Sequence, residues 1–250
     1  ISSNASNDTL SKIPLDENAI IIASGIANIY ARDPAASVMG CNSLNALYDG
    51  RFVLGLGVSH APLVSDVRGH EYAKPVATMR KYLEGMDSAW EAFGGAPQEK
   101  QLVLAALGPN MSKLSAERTL GTFPYNITPD QVKLSRDAMG PQGLIFCEQK
   151  VCVTDDPKKA REVARAALSP YMPLPNYYKN WFRLGFDESD LENGGSDRLM
   201  DAMVLWGDAD TVKAKLNQYL ENGADQVVIQ ALRADGQPSP DYEALASLIG

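Results

Sequence analysis

The chain has 250 residues, 45% hydrophobic and 22% charged, with a formal net charge of −8. This is the composition of a globular protein rather than a disordered one, and its acidic balance would repel a phosphate backbone, which argues against nucleic acid as a partner. The longest apolar runs, such as Ala19 to Ala23 and Leu102 to Leu107, fall far short of the ~20 residues that a membrane helix needs.

In chain order, residues 1–18 read as an irregular, polar N-terminal segment, and Ala19 to Ile26 as a buried strand. A helix is expected over Pro34 to Leu47, stopped by Asp49-Gly50. Phe52 to Val58 is a second strand, with a long helix after it over roughly Tyr72 to Phe93. Leu102 to Leu107 is a third strand, followed by a helix over Met111 to Leu120. Thr122 to Tyr125 is a short, weak strand before a helix from Pro129 to Met139. Leu144 to Val153 is a fifth strand, and helical segments run from Pro157 to about Tyr219, broken by prolines and by Gly194-Gly195. Gln226 to Leu232 is the last strand, with a terminal helix over Pro240 to Ile249.

The strands are continuous apolar runs, each followed by a helix, which is the pattern of a parallel sheet covered by helices. Four helices have a capping residue followed by proline: Asp33-Pro34, Thr128-Pro129, Asp156-Pro157 and Ser239-Pro240. A single glycine in Ser24-Gly25-Ile26-Ala27-Asn28 leaves a dinucleotide fingerprint unsupported. Gly55 and Gly57 lie within their strand, where missing side chains let another group approach closely. Cys41, Cys147 and Cys152 are too few and too scattered for a disulfide framework, which favours reduced, buried thiols and the cytoplasm; no metal ligand set is read.

Three separated stretches carry a resemblance: Gly25 to Pro34, Gly50 to His60, and Leu104 to Met111. With Pro124 to Pro129, Glu148 to Val151, Leu174 to Tyr177 and Gly195 to Leu199 in the same order, they resemble the bacterial luciferase-like superfamily. The branch they are most similar to is that of the coenzyme F420 (deazaflavin)-dependent oxidoreductases. The resemblance implies an α/β fold of the (β/α)8 TIM-barrel type, as a single domain over 1–250 with a proline- and aromatic-rich insertion at 169–195. Only six strands are read where a closed barrel has eight, so the first two strands are expected to be missing from this chain or replaced.

The resemblance also implies hydride transfer between coenzyme F420 and an organic substrate, with the ring across the C-terminal strand ends. FMN is the alternative cofactor, for a monooxygenase on the same fold, and a non-catalytic barrel subunit is a third reading. The cofactor-binding residues expected are Gly25, Ile26, Ala27 and Asn28, then Gly57, Val58 and Ser59, then Ala106, Gly108, Pro109, Asn110 and Met111. A cis peptide is expected at Gly25-Ile26, and the helix start at Gly108 to Lys113 is expected to receive the cofactor phosphate, with Lys113 and Arg118 adding charge. His60, at a strand end, is the candidate catalytic proton carrier, whereas His70 reads as a capping or surface residue. Tyr30 is expected to line the pocket, and Glu148, mid-strand in an apolar run, either to pair with a cation near Lys150 in space or to point into the barrel mouth. The partners expected are a small-molecule substrate and a second copy in a homodimer.

Overall fold

The computed structural model describes residues 20–94 and 101–249. The N-terminal segment 1–18 and Ala19, where the first strand was expected to begin, lie outside them. The described residues separate into two compact units, one formed by residues 20–94, 101–123 and 138–144, the other by 124–137 and 145–249.

The first unit is a parallel α/β layer. Its first strand comes in two pieces, β1 (Ile22–Ala23) and β2 (Ala27–Asn28), which both pair with β3 (Phe52–Gly57). The break between them holds a cis Gly25-Ile26 peptide, as expected. β3 pairs in turn with β4 (Leu102–Leu104), and β4 with β5 (Gly121–Thr122). Helix α1 (Pro34–Leu47) starts on the Asp33 carboxylate, which accepts the Ala36 N–H at 2.7 Å. Helix α2 (Pro75–Phe93) begins three residues later than expected, because Pro75 takes the first helical position. Its Met79, Leu83, Met86 and Trp90 recur at helical spacing and are buried with Val38 and Cys41 of α1 and Leu54 and Leu56 of β3. Gly85 is the close-contact point of this packing: a Cβ there would lie 2.8 Å from the Pro34 ring. Helix α3 (Pro109–Arg118) follows β4.

In the second unit, β6 (Leu144–Val153) is buried on both faces and pairs in parallel with β7 (Val204–Gly207) and β8 (Gln226–Ala231). The register of β8 is set at its start by Asp225, whose carboxylate accepts from the Ile145 N–H at 2.8 Å and from Arg136 at 2.7 Å. Around this sheet run α4 (Pro129–Met139), α5 (Pro157–Leu168), α6 (Pro175–Arg183), a 3-10 segment over Glu188–Gly194, α7 (Asp197–Met203), α8 (Ala209–Glu221) and α9 (Tyr242–Ile249). The strand β7 corrects the sequence reading, which ran helix through it. It pairs with Lys150 to Val153, overlapping at Lys150 and Val151 the stretch of β6 that pairs with β8, so the eight strand segments of the described residues are the six expected strands, the first of them in two pieces, and this additional one. The Ser239-Pro240 cap is also corrected: α9 starts later, and Asp241 caps it by accepting the Ala244 N–H at 3.0 Å. The three cysteines are free and buried.

Candidate active site

In the first unit, the ends of three neighbouring strands form a row. Asn28 is in register with Gly57, Leu56 with Leu104, and the Ala105 N–H donates to the Leu56 carbonyl at 2.9 Å. The sequence-predicted groups around Gly25 to Asn28, Gly57 to Ser59 and Ala106 to Met111 are therefore brought side by side. Parallel pairing makes this unavoidable, since every strand points its C-terminal end the same way.

The break at Gly25-Ile26 is held by its neighbour. The Ser24 hydroxyl both accepts from the Gly55 N–H and donates to the Gly55 carbonyl, each at 3.0 Å. The glycines of β3 do allow a close approach, as expected, and the groups that approach are the chain's own: a Cβ at Gly55 would meet the Ser24 carbonyl at 1.9 Å, and one at Gly57 the Ile26 side chain at 2.7 Å. Gly25 faces the Phe123 ring, 3.2 Å from where a Cβ would sit.

Asn28 has a defined amide orientation, because its Oδ1 accepts the Tyr30 N–H at 2.9 Å. Its Nδ2 is buried without a hydrogen-bond partner. Two residues past Gly57, Ser59 sits in the left-handed region at φ +59°. His60 follows, half-buried, and its carbonyl accepts the Val64 N–H at 3.0 Å. His70 is not a cap: its ring stacks on Tyr30 at 6.3 Å between centroids.

At the start of α3, no side chain caps the helix, and the Met111 and Ser112 N–H groups turn back to the Gly108 carbonyl. Pro109 and Asn110 are exposed, whereas Ala106 and Met111 are buried as whole residues and the Met111 N–H is already spent on Gly108, so neither offers the open surface expected of it. Lys113 is exposed nearby, but Arg118 is committed to Asp87 at 2.5 Å, which removes it from the expected charge set.

The second unit holds a polar centre that sequence reasoning only touched. Glu148 does have a cationic partner, and it is Lys150 itself: two residues apart on a strand, they share one face. The Lys150 ammonium lies 3.1 and 3.3 Å from the two Glu148 oxygens and 2.6 Å from Asn126 Oδ1, with the Tyr125 ring centroid 3.8 Å away. Both charged side chains are almost fully buried, at 2% and 6% exposure. Burial raises the Glu148 carboxyl pKa and lowers that of Lys150, and each partner opposes the other's shift. Above the pair, Tyr125, Tyr171 and Tyr177 pack edge to face, and burial pushes the Tyr125 and Tyr177 phenols up, keeping them neutral. The signal for this centre was the spacing Glu148-x-Lys150 inside an apolar run. The contributions of Tyr125 and Asn126, from one loop, and of Tyr171, from another, carried no local signal.

Comparison with known proteins agrees with this geometry. The family model described as luciferase-like monooxygenase matches residues 18–226. A 5,10-methylenetetrahydromethanopterin reductase of Methanolobus tindarius is 26% identical over 97% of this chain and 85% of its own length. An F420-dependent secondary alcohol dehydrogenase, solved with an F420-acetone adduct, superposes with a TM-score of 0.66 at 15% identity, covering 93% of this chain and 81% of that one. The oxygenating constituent of 3,6-diketocamphane monooxygenase from Pseudomonas putida, solved with FMN, gives 0.60 at 16% identity over 89% of this chain and 76% of that one. The family match spans most of the chain, and the chain belongs to the luciferase-like monooxygenase family.

Proposed function

We propose that this protein is an F420-dependent oxidoreductase that transfers a hydride between the deazaflavin and an organic substrate. The observation that carries the reading is the partnerless, buried Asn28 amide at the row of strand ends. A buried donor without an acceptor costs about 1–3 kcal/mol, and a carbonyl-bearing ring would relieve that cost. The name of the F420-dependent secondary alcohol dehydrogenase supports F420 over FMN.

The residues present fit such a group. Gly25, Ile26, Ala27 and Asn28 would lie against the ring, with Gly57, Val58 and Ser59 along its edge. Of the expected set at the start of α3, Gly108 and Asn110 would offer backbone N–H groups to the anionic tail, where the local dipole favours negative charge, since Pro109 has no N–H and that of Met111 turns back to Gly108. Lys113 adds the positive charge that an acidic protein otherwise lacks for an anion. Bound F420 supplies the hydride chemistry. The chain's own part is orientation, exclusion of water and one proton, which His60 would hold at its imidazole for the substrate.

The test is a titration of the purified chain with F420 and, separately, with FMN, read by tryptophan fluorescence and by cofactor absorbance. Binding of F420 with no binding of FMN is the expected result. Tight FMN binding without F420 binding would establish the monooxygenase reading, which the FMN complex of a structural neighbour supports. No binding of either would leave a non-catalytic barrel.

A further inference from the structure

We propose that residues 60–73 form a hinged strap that opens as a unit, latched by Tyr72, and that its opening gives access to the Asn28 end of the strand row. The reading of what enters rests on the function proposed above; the opening itself does not.

The strap leaves the end of β3 and returns at the start of α2. It contains a single π-helical turn over Pro62–Val67, a geometry that satisfies the backbone less well than an α-helix and is found mostly as short pieces at functional sites. Both ends have a conformational joint. Ser59 holds φ +59° without being glycine, and Gly69 holds φ +69° with nothing within 4 Å of a would-be Cβ. Between them Val64 is fully buried, whereas the other residues from Ala61 to Glu71 are exposed, including Leu63 and Val67. So little buried apolar surface makes local opening far easier than global unfolding.

What closes the segment is a set of aromatic contacts at its far end. The Tyr72 hydroxyl donates to the Ser59 carbonyl at 3.2 Å, which ties the strap's two ends together. The Ala73 N–H donates to the Tyr30 hydroxyl at 3.3 Å, and the Tyr30 ring lies 6.0 Å from that of Tyr72 and 6.3 Å from that of His70. Tyr30 is also the residue whose N–H fixes the Asn28 amide. The strap and the buried, partnerless Asn28 Nδ2 thus share one residue, so releasing Tyr72 frees the Tyr30 ring and loosens the chain around Asn28.

Hydrogen exchange measured on the full chain by mass spectrometry tests this. In the free protein, amides of 61–71 should exchange at least about tenfold faster than those in the middle of α2. Tyr72→Phe, which keeps the ring and removes the latch, should speed the strap a further fivefold or so, the factor that one net hydrogen bond is worth, and leave α2 unchanged. Saturating F420 should slow the strap. Exchange of 61–71 as slow as α2, equal acceleration of both by Tyr72→Phe, or F420 binding without slowing the strap would each overturn the proposal. Failure of F420 to bind at all would overturn the cofactor reading instead, and the free protein's exchange would still decide the strap.

Discussion

Replacing Lys150 with methionine removes one half of a buried ion pair and leaves the Glu148 carboxylate among apolar and aromatic groups. At 3.1 Å the pair's attraction is about 5 kcal/mol at an effective dielectric near 20. Breaking such a pair one-sidedly destabilises by about 3–5 kcal/mol, because the survivor is a desolvated charge that has lost its counter-ion and keeps only the Asn126 backbone hydrogen bond. That is a large share of the ~5–15 kcal/mol that holds a domain folded. The variant can relieve itself by protonating Glu148, whose carboxyl burial already raises and Lys150 no longer opposes. A carboxyl with its folded pKa above the unfolded value binds a proton on folding, so stability is lost as pH rises through the folded pKa and regained below it. Urea denaturation followed by circular dichroism should therefore show a deficit in Lys150→Met that is largest near pH 8 and shrinks toward pH 5. The double variant Glu148→Gln, Lys150→Met should recover most of the loss. A deficit under about 1 kcal/mol, or a double variant as unstable as the sum of its singles, would refute the assignment of a desolvated pair.

Gly85→Ala should destabilise despite alanine's helix advantage of about 1 kcal/mol, because its Cβ would sit 2.8 Å from the rigid Pro34 ring; a thermal melt with an unchanged or raised Tm would contradict that packing. Gly25→Val should push against the Phe123 ring and abolish F420 binding in a fluorescence titration, and unchanged affinity would mean that the ring lies elsewhere. The Asp190 carboxyl is held down to about 2, chiefly by Arg198 and further by the Ser196 hydroxyl. Its folded pKa lies below the unfolded value, so it stabilises above about pH 4 and that contribution is lost as pH falls toward 2. Acid unfolding of Asp190→Asn should lack this step, and an unchanged acid transition would remove the role given to Asp190.

Two helices were legible to the residue, Pro34–Leu47 behind its Asp33 cap and Pro129–Met139 from its proline, although the Thr128 hydroxyl expected to cap the second is buried without a hydrogen-bond partner. So was the long buried strand Leu144–Val153, whose run of apolar residues allows little else. Val204–Gly207 was not, since four residues that continue an amphipathic pattern become a strand only when Lys150 to Val153 lie alongside to take their hydrogen bonds. Asp241 displaced Ser239 as the last helix's cap for a similar reason: either residue type can cap, and the chain's path out of β8 chooses.

The site divides in the same way. The residues Gly25 to Asn28, Gly57 to His60 and Gly108 to Met111 could be marked in advance because they lie in the stretches that carry the family resemblance; local pattern added only that these stretches sit at strand ends and helix starts. That Gly55 is glycine for Ser24, that Tyr30 joins Asn28 to the strap, and that Asn126 and Tyr125 enclose Lys150 could not. Each is a contact between residues far apart in sequence, set by how strands register and loops return. Local propensity and periodicity determine which segments are strands and helices; only the folded chain determines which of their ends, and which buried charges, meet.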